Sequence, residues 1–241
     1  MANNLFSKMK KINKNNAKNE IVDPTKYRLS ADSEFLYTES YNHLRTNIMF
    51  TVSALQTNKK TVVISSCNPN EGKTTTSTNL AISLAKLKKK VLIIDADLRK
   101  PSVHKFFGVK PGIGLSDVLL GASASEAIIG IEGLNLDFLP AGTIPPMPAE
   151  LLASPLFSDL IAEFEQIYDY IIIDTPPILV VSDALSLANV AAGMLLVSRY
   201  MGTTYPEIDK AILSLKLTNF NLLGTVIVGS KNNSHLKSKK Y

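Results

Sequence analysis

At 241 residues, with 45% hydrophobic and 20% charged side chains, the chain has the size and balance of one α/β domain rather than of a disordered or fibrous protein. A single cysteine excludes an internal disulfide and fits a reducing compartment. No apolar run approaches the roughly 20 residues of a membrane span, and the basic N-terminus lacks the apolar segment of a signal peptide.

The net charge of +5 sits at the two ends. Lys8, Lys10, Lys11, Lys14 and Lys18 face only Glu20 in residues 1–20, and Lys231, Lys237, Lys239 and Lys240 crowd residues 231–241, so the body between them is slightly acidic. Residues 1–30 read as a flexible basic arm, 31–230 as the folded domain and 231–241 as a flexible basic tail. Basic ends of this kind are solvated or held to an anionic membrane surface. They carry no interleaved aromatics, so no nucleic acid is expected as a partner. The chain reads as cytoplasmic and peripheral to a membrane.

In chain order, Ser30-Ala31-Asp32-Ser33 offers caps for a helix over 33–52. Tyr37, Tyr41, Leu44 and Ile48 mark its buried stripe, while Glu39, Asn42 and Arg45 share a neighbouring face that is either solvated or a subunit contact. Thr61-Val62-Val63-Ile64 is a strand, followed by a loop and by Gly72-Lys73-Thr74 at the first turn of a helix over 73–88, with Leu80, Leu84 and Leu87 expected inward. Strand, loop and helix in that order make a phosphate cradle: loop amides and the helix N-terminus point at the anion. Lys73 would reach the β- and γ-phosphates, and the Thr74 hydroxyl would ligate Mg²⁺. Cys67 stands where the G-x-x-x-x-G-K-[ST] pattern begins with Gly. By itself Gly-Lys-Thr can open an ordinary helix; later motifs decide.

Val91-Leu92-Ile93-Ile94 is a continuous apolar run, as in a strand buried on both faces, and it ends in Asp95-Ala96-Asp97-Leu98-Arg99. Two carboxylates at the end of a buried strand are costly unless they serve a cation or a partner. Open parallel sheets bind ligands at that end. Residues 102–133 read as loop and short helices, 134–139 as a strand, and 147–168 as helix interrupted near Pro155. Tyr170-Ile171-Ile172-Ile173 is a third buried strand, closed by Asp174-Thr175-Pro176-Pro177. An apolar run ending in Asp is the Walker B form, whose carboxylate holds Mg²⁺. A helix over 182–191, a strand over 194–197, a helix over 205–217 and a strand over 222–228 complete the alternation. The fold class is therefore α/β, a P-loop NTPase with a mostly parallel sheet and helices on both faces.

Together these motifs resemble a known family. The stretches ESYNHLRTN, SSCNPNEGKTTT, VLIIDADLRKP, PAGTIPPMPAELLASP and YDYIIIDTPPILVVSDA occur in order over residues 39–199. They are similar to the bacterial tyrosine kinases (BY-kinases), in particular to the cytoplasmic subunit of capsular and exopolysaccharide biosynthesis systems. The resemblance implies an autophosphorylating, ATP-dependent protein-tyrosine kinase with ATP and Mg²⁺ as cofactors. It places Asn70, Glu71, Gly72, Lys73, Thr74 and Thr75 around the nucleotide, Thr74, Asp97 and Asp174 at the metal, and Lys73, Asp95 and Asp97 in catalysis. One of Asp95 and Asp97 would sit near Mg²⁺ and the other would orient or deprotonate the tyrosine hydroxyl; which does which stays open. The implied partners are a membrane polysaccharide co-polymerase that activates the kinase, further copies of the chain, protein tyrosine substrates and a tyrosine phosphatase. The implied location is the inner face of the plasma membrane.

Four departures qualify this carry-over. In the family's oligomerisation helix, E-x-x-R-x-x-R-x-N, the residues Glu39, Arg45 and Asn47 match, but Asn42 replaces the first Arg and cannot make its two-pronged carboxylate contact. The family's terminal tyrosine cluster is reduced to Tyr241, a single possible phosphosite. Cys67 and Asn70 fill loop positions often held by small residues. Val228 stands where related ATPases end a strand in an adenine-reading Asn. An ATP-gated regulator that no longer transfers phosphate is therefore an alternative. A partition or division-site ATPase is a more distant one, because such proteins carry an extra lysine early in the phosphate loop, where Cys67 and Asn68 stand here.

Overall fold

A computed structural model describes residues 23–55 and 57–230. Tyr241, the basic tail and most of the basic arm lie outside the described residues. After a 3-10 turn at Pro24–Tyr27, the helices are α1 (Phe35–Ala54), α2 (Lys73–Ala85), α3 (Val103–Phe107), α4 (Leu115–Leu119), α5 (Ala124–Ala127), α6 (Pro148–Leu152), α7 (Pro155–Ile167) and α8 (Tyr205–Leu217). The strands are β1 (Thr61–Ser66), β2 (Val91–Asp95), β3 (Ile129–Gly130), β4 (Leu136–Leu139), β5 (Tyr170–Asp174), β6 (Gly193–Arg199) and β7 (Leu222–Val228). They form one sheet in the order β3-β4-β2-β5-β1-β6-β7, parallel throughout except for the antiparallel edge pair β3–β4.

The central strands are apolar without alternation because both faces are covered. Val63, Leu92, Ile94, Ile171, Ile173 and Leu196 point into one core, with Phe157, Leu160, Ile161 and Phe164 of α7 and Leu215 of α8. Their chain neighbours Val62, Ile64, Val91, Ile93, Ile172 and Leu195 point into the other, with Leu80 and Leu84 of α2 and Tyr41, Ile48 and Val52 of α1. The period-2 pleat thus divides each strand between two helix layers.

The order also fixes where chemistry can occur. β5 lies between β1 and β2, with Ile64 opposite Asp174 and Asp95 opposite Asp174 in register. The exits of β1, β5 and β2 are therefore neighbours along one edge, the place where open parallel sheets bind ligands.

Several boundaries differ from expectation. Helix α2 stops at Ala85, because Lys88 takes a left-handed conformation (φ 61°) and closes the end with a hydrogen bond to the Ala85 carbonyl. Leu87 consequently falls past the helix and is 46% exposed rather than inward. Helix α1 begins at Phe35 after Glu34 with no side-chain cap, since the Ser33 hydroxyl turns back to accept from the Ser30 amide. The helix expected over 182–191 is a short 3-10 stretch, Asp183–Leu187. The boundary of the arm lies before residue 30: Leu29 is buried, and its amide donates to Asn79 Oδ1 on α2.

The Leu84 and Leu87 contrast is measurable. Leu84→Ala should cost about 2–5 kcal/mol as a buried core truncation, and Leu87→Ala no more than about 0.5 kcal/mol as a surface change. Urea unfolding of the two variants checks this; equal costs would place both side chains in the core.

Candidate active site

The loop after β1 owes its shape to an internal hydrogen-bond network. Cys67 is fully buried within the core, and burial, helped by the charges of Glu71 and Glu207, pushes its thiol up to about 12. It is a space-filling residue, not a nucleophile. Asn70 is left-handed (φ 63°), as is Gly72 (φ 91°), and a Cβ on Gly72 would lie 3.2 Å from the Val228 side chain. Glycine is thus required both by backbone conformation and by the close passage of β7's end.

Glu71 points inward. It is 3% exposed; its carboxylate accepts from the Asn68 amide (3.0 Å), Asn68 Nδ2 (3.2 Å) and Thr203 Oγ1 (2.6 Å). Asn68 Nδ2 also donates to Glu207 Oε1, and Glu207 caps α8 through Thr204. Arg199 Nη1 donates to the Asn70 carbonyl. The phosphate loop is therefore tied to the β6–α8 connection, a support that sequence reading missed. The only sequence sign is the T-x-x-E capping box at Thr204 and Glu207.

Lys73 Nζ lies 3.1 Å from Asp97 Oδ2 and 3.7 Å from Asp174 Oδ2, and donates to Thr74 Oγ1. Burial works against its charge, but Asp174 and Asp97 outweigh burial and hold its pKa above the usual lysine value. Asp174 is fully buried at the end of β5 and accepts from Thr74 Oγ1 and Ser77 Oγ, each at 2.7 Å. Burial raises its pKa, against the Lys73 charge and those hydroxyls. Ser77, one helical turn after Lys73, is a further residue that the sequence reading left out; its signal is the i+4 spacing alone. Ser102 joins through Thr74 Oγ1 at 3.1 Å.

The paired aspartates have separate environments. Asp95 is fully buried, and its oxygens accept from the amides of Asp97 (3.2 Å), Ser102 (2.9 Å) and Val103 (3.0 Å). Burial and the Asp174 charge push it up to about 7, against the Val103 and Ser102 amides. Asp97 is held by Lys73 and by the Lys100 amide, and faces a cavity of about 1100 Å³. Asn70, Gly72, Lys73, Thr74 and Thr75 line that cavity beside Asp97, while Glu71 and Asp95 do not. Arg199 and Val226 to Gly229 form the wall beyond Asn70.

The residues expected at a subunit contact lie on α1. Asn42 Nδ2 donates to Glu39 Oε1 (2.7 Å), and Arg45 Nη1 donates to Asn42 Oδ1 and to the Ser83 carbonyl and hydroxyl, each at 3.0 Å. Asn42 thus links the other two along the helix, and Arg45 leans on α2. The Arg45 Nε is buried without a hydrogen-bond partner, and Asn47 is exposed.

Among the described residues no set of three or more His, Cys, Asp or Glu side chains forms a self-sufficient metal cage. The Thr74 hydroxyl with the Asp97 and Asp174 carboxylates is a hard-oxygen set with two carboxylates, which suits Mg²⁺ completed by phosphate and water rather than by protein alone. The glycine-dependent loop and the wide adjoining cavity fit a nucleotide.

Asp95 links this geometry to pH. Its folded pKa of about 7 exceeds the ordinary 3.8, so its stabilising contribution is present below about pH 4 and is lost as pH rises through 7. Asp95→Asn cannot ionise but gives up carboxylate hydrogen bonds. The variant should be less stable than the parent at pH 5, and the gap should shrink by pH 8. Urea midpoints across that range test this; a gap that widens with pH contradicts it.

The AAA domain family matches residues 59–201. The tyrosine-protein kinase YwqD of Bacillus subtilis is 44% identical over 83% of this chain and 84% of its own length. A putative tyrosine-protein kinase in the cps region of Klebsiella pneumoniae is 38% identical over 80% of this chain, which spans only 27% of that longer protein. The kinase domain of the Escherichia coli tyrosine kinase ETK superposes with a TM-score of 0.77 at 33% identity, covering 85% of this chain and 80% of that one. With its sheet, its phosphate loop and these relatives in agreement, the chain belongs to the bacterial tyrosine-protein kinases, a family built on the P-loop NTPase fold.

Proposed function

We propose that this chain transfers the γ-phosphoryl group of ATP to tyrosine hydroxyls, its own included, and that it does so under a membrane activator to regulate the synthesis and export of a capsular or extracellular polysaccharide. The observation that carries this reading is the convergence of Lys73, Thr74, Asp97 and Asp174 on one edge of the sheet beside a nucleotide-sized cavity.

Asn70, Gly72, Lys73, Thr74 and Thr75 hold the phosphates; Glu71 contributes through its backbone, its carboxylate being engaged with Asn68 and Thr203. Thr74 and Asp174, with Asp97 nearby, would hold Mg²⁺, which when bound neutralises charge on the β- and γ-phosphates. Lys73 stabilises the charge on the transferred group. Asp97 is the carboxylate open to the cavity, so it orients the tyrosine hydroxyl and takes its proton as the new P–O bond forms and the bond to the bridging oxygen breaks. Asp95 contributes by holding the loop, since backbone amides occupy both its oxygens.

No helix among the described residues is long and apolar enough to cross a membrane. Attachment at the inner face of the plasma membrane would run through the activator, aided by the basic ends. Glu39, Arg45 and Asn47 are the proposed contacts between copies. Tyr241 is the proposed tail phosphosite, and a tyrosine phosphatase would reverse the modification.

Mass spectrometry after incubation with Mg²⁺-ATP, with and without the activator's cytoplasmic tail, tests the reading. Phosphotyrosine should form, and Lys73→Met should reduce it on the order of 10²-fold or more. Persistent absence of phosphotyrosine with ATP binding intact would replace the kinase by an ATP-gated regulator, the reading that Asn42 favours.

A further inference from the structure

Asp183 is a buried carboxylate that the phosphate site does not use. Its side chain is fully inaccessible, and its oxygens accept from Arg99 Nε at 2.7 Å and Arg99 Nη2 at 3.0 Å. A buried carboxylate without a partner is expensive, so this contact is obligatory for Asp183. It is not obligatory for Arg99, which is 44% exposed and could be solvated elsewhere.

The two residues sit on different loops. Arg99 follows β2, two residues beyond Asp97. Asp183 follows β5, on a segment pinned to β1: the Thr175 amide donates to the Ile64 carbonyl, Ser65 Oγ to the Pro176 carbonyl, and the Ile178 amide to the Ser66 carbonyl. That segment is fixed to the strand that launches the phosphate loop. The loop carrying Asp97 is closed at its base by Asp95, which takes the amides of residues 97, 102 and 103. Its tip has a separate anchor in Arg99. Asp97, Arg99, Lys100, Pro176 and Pro177 all line the cavity.

We propose that Arg99 and Asp183 form a brace that sets the Asp97 carboxylate relative to Asp174, which makes Arg99 a positioning residue for the metal–phosphate site. This rests on the kinase reading above for its catalytic consequence, but not for its geometry. The side-on contact through two N–H groups constrains both the distance and the angle of the loop tip. An ammonium in the same place would fix distance alone. The hydrogen bond to Asp183 raises the pKa of Arg99 further above its ordinary value.

The test uses the full chain with Arg99→Gln, Arg99→Lys, Asp183→Asn and the Arg99→Gln/Asp183→Asn double variant. Affinity for a fluorescent ATP analogue is measured in EDTA and in Mg²⁺, together with kcat and KM for tyrosine phosphorylation and the thermal midpoint. Affinity in EDTA should stay at the parent value. The Mg²⁺-dependent gain should fall about tenfold, as when a supporting partner of a metal ligand is removed, and kcat on the order of 10²-fold, as for a reacting group displaced by about 1 Å. Arg99→Lys should recover part of both. The double variant should be no worse than the poorer single one, because the two residues act as a unit. Variants that lose thermal stability yet keep the Mg²⁺ gain and kcat would reduce the pair to a fold-stabilising contact and overturn the proposal. Should Asp183→Asn fail to fold, Arg99→Lys and Arg99→Gln, changed at the exposed end of the pair, decide it. A parent protein that gains affinity from Mg²⁺ but phosphorylates no tyrosine would remove the kinase reading and leave the brace to be judged on the Mg²⁺ gain.

Discussion

The site depends on one buried charge balance: Lys73 held between Asp97 and Asp174. A buried ammonium and two buried carboxylates are each costly in a low-dielectric interior, and each is tolerable only because the others are present. Burial raises the pKa of both Asp174 and the third carboxylate, Asp95, and the Asp174 charge adds to the effect at Asp95. Such a cluster is poised for a ligand that brings a cation and phosphate together. The magnesium ion would offset the carboxylates, and phosphate would compete with Asp97 for Lys73.

The sheet makes that balance unavoidable. Parallel pairing with Asp95 opposite Asp174 puts the two carboxylates at the ends of adjacent strands, and β1 on the other side of β5 delivers the phosphate loop beside them. A one-residue slip would send either aspartate to the opposite face. Continuous apolar runs set the register here: alternate residues of Val91–Asp95 and Tyr170–Asp174 enter different cores, so each strand is fixed from both sides.

That logic explains what could be read in the sequence. The three central strands were legible as apolar runs, and their closing polar residues marked the site, because a buried strand ending in Asp has few other uses. Lys73, Thr74, Asp97 and Asp174 came from local patterns and converge as those patterns require. Local patterns could not show which of two aspartates faces the cavity; this depends on whether amides seven and eight residues further on fold back to claim the carboxylate, as they do for Asp95. Nor could they show that the Glu71 carboxylate turns inward, since its partner Thr203 is remote in sequence. Leu87 kept the helical period but fell past the end of α2, in the turn that left-handed Lys88 closes. Arg99–Asp183 and Arg45–Ser83 are likewise long-range contacts with no periodic trace.

The division of labour between the two aspartates of the D-x-D motif is the central claim, and comparing Asp97→Asn with the parent tests it most directly. ATP affinity measured without metal and the single-turnover rate of tyrosine phosphorylation should part company. Affinity should hold or rise, because Lys73 is released from its carboxylate partner, while the transfer rate falls on the order of 10²–10⁴-fold for a lost proton acceptor. A transfer rate equal to the parent's would contradict the assignment and move the chemistry to another group.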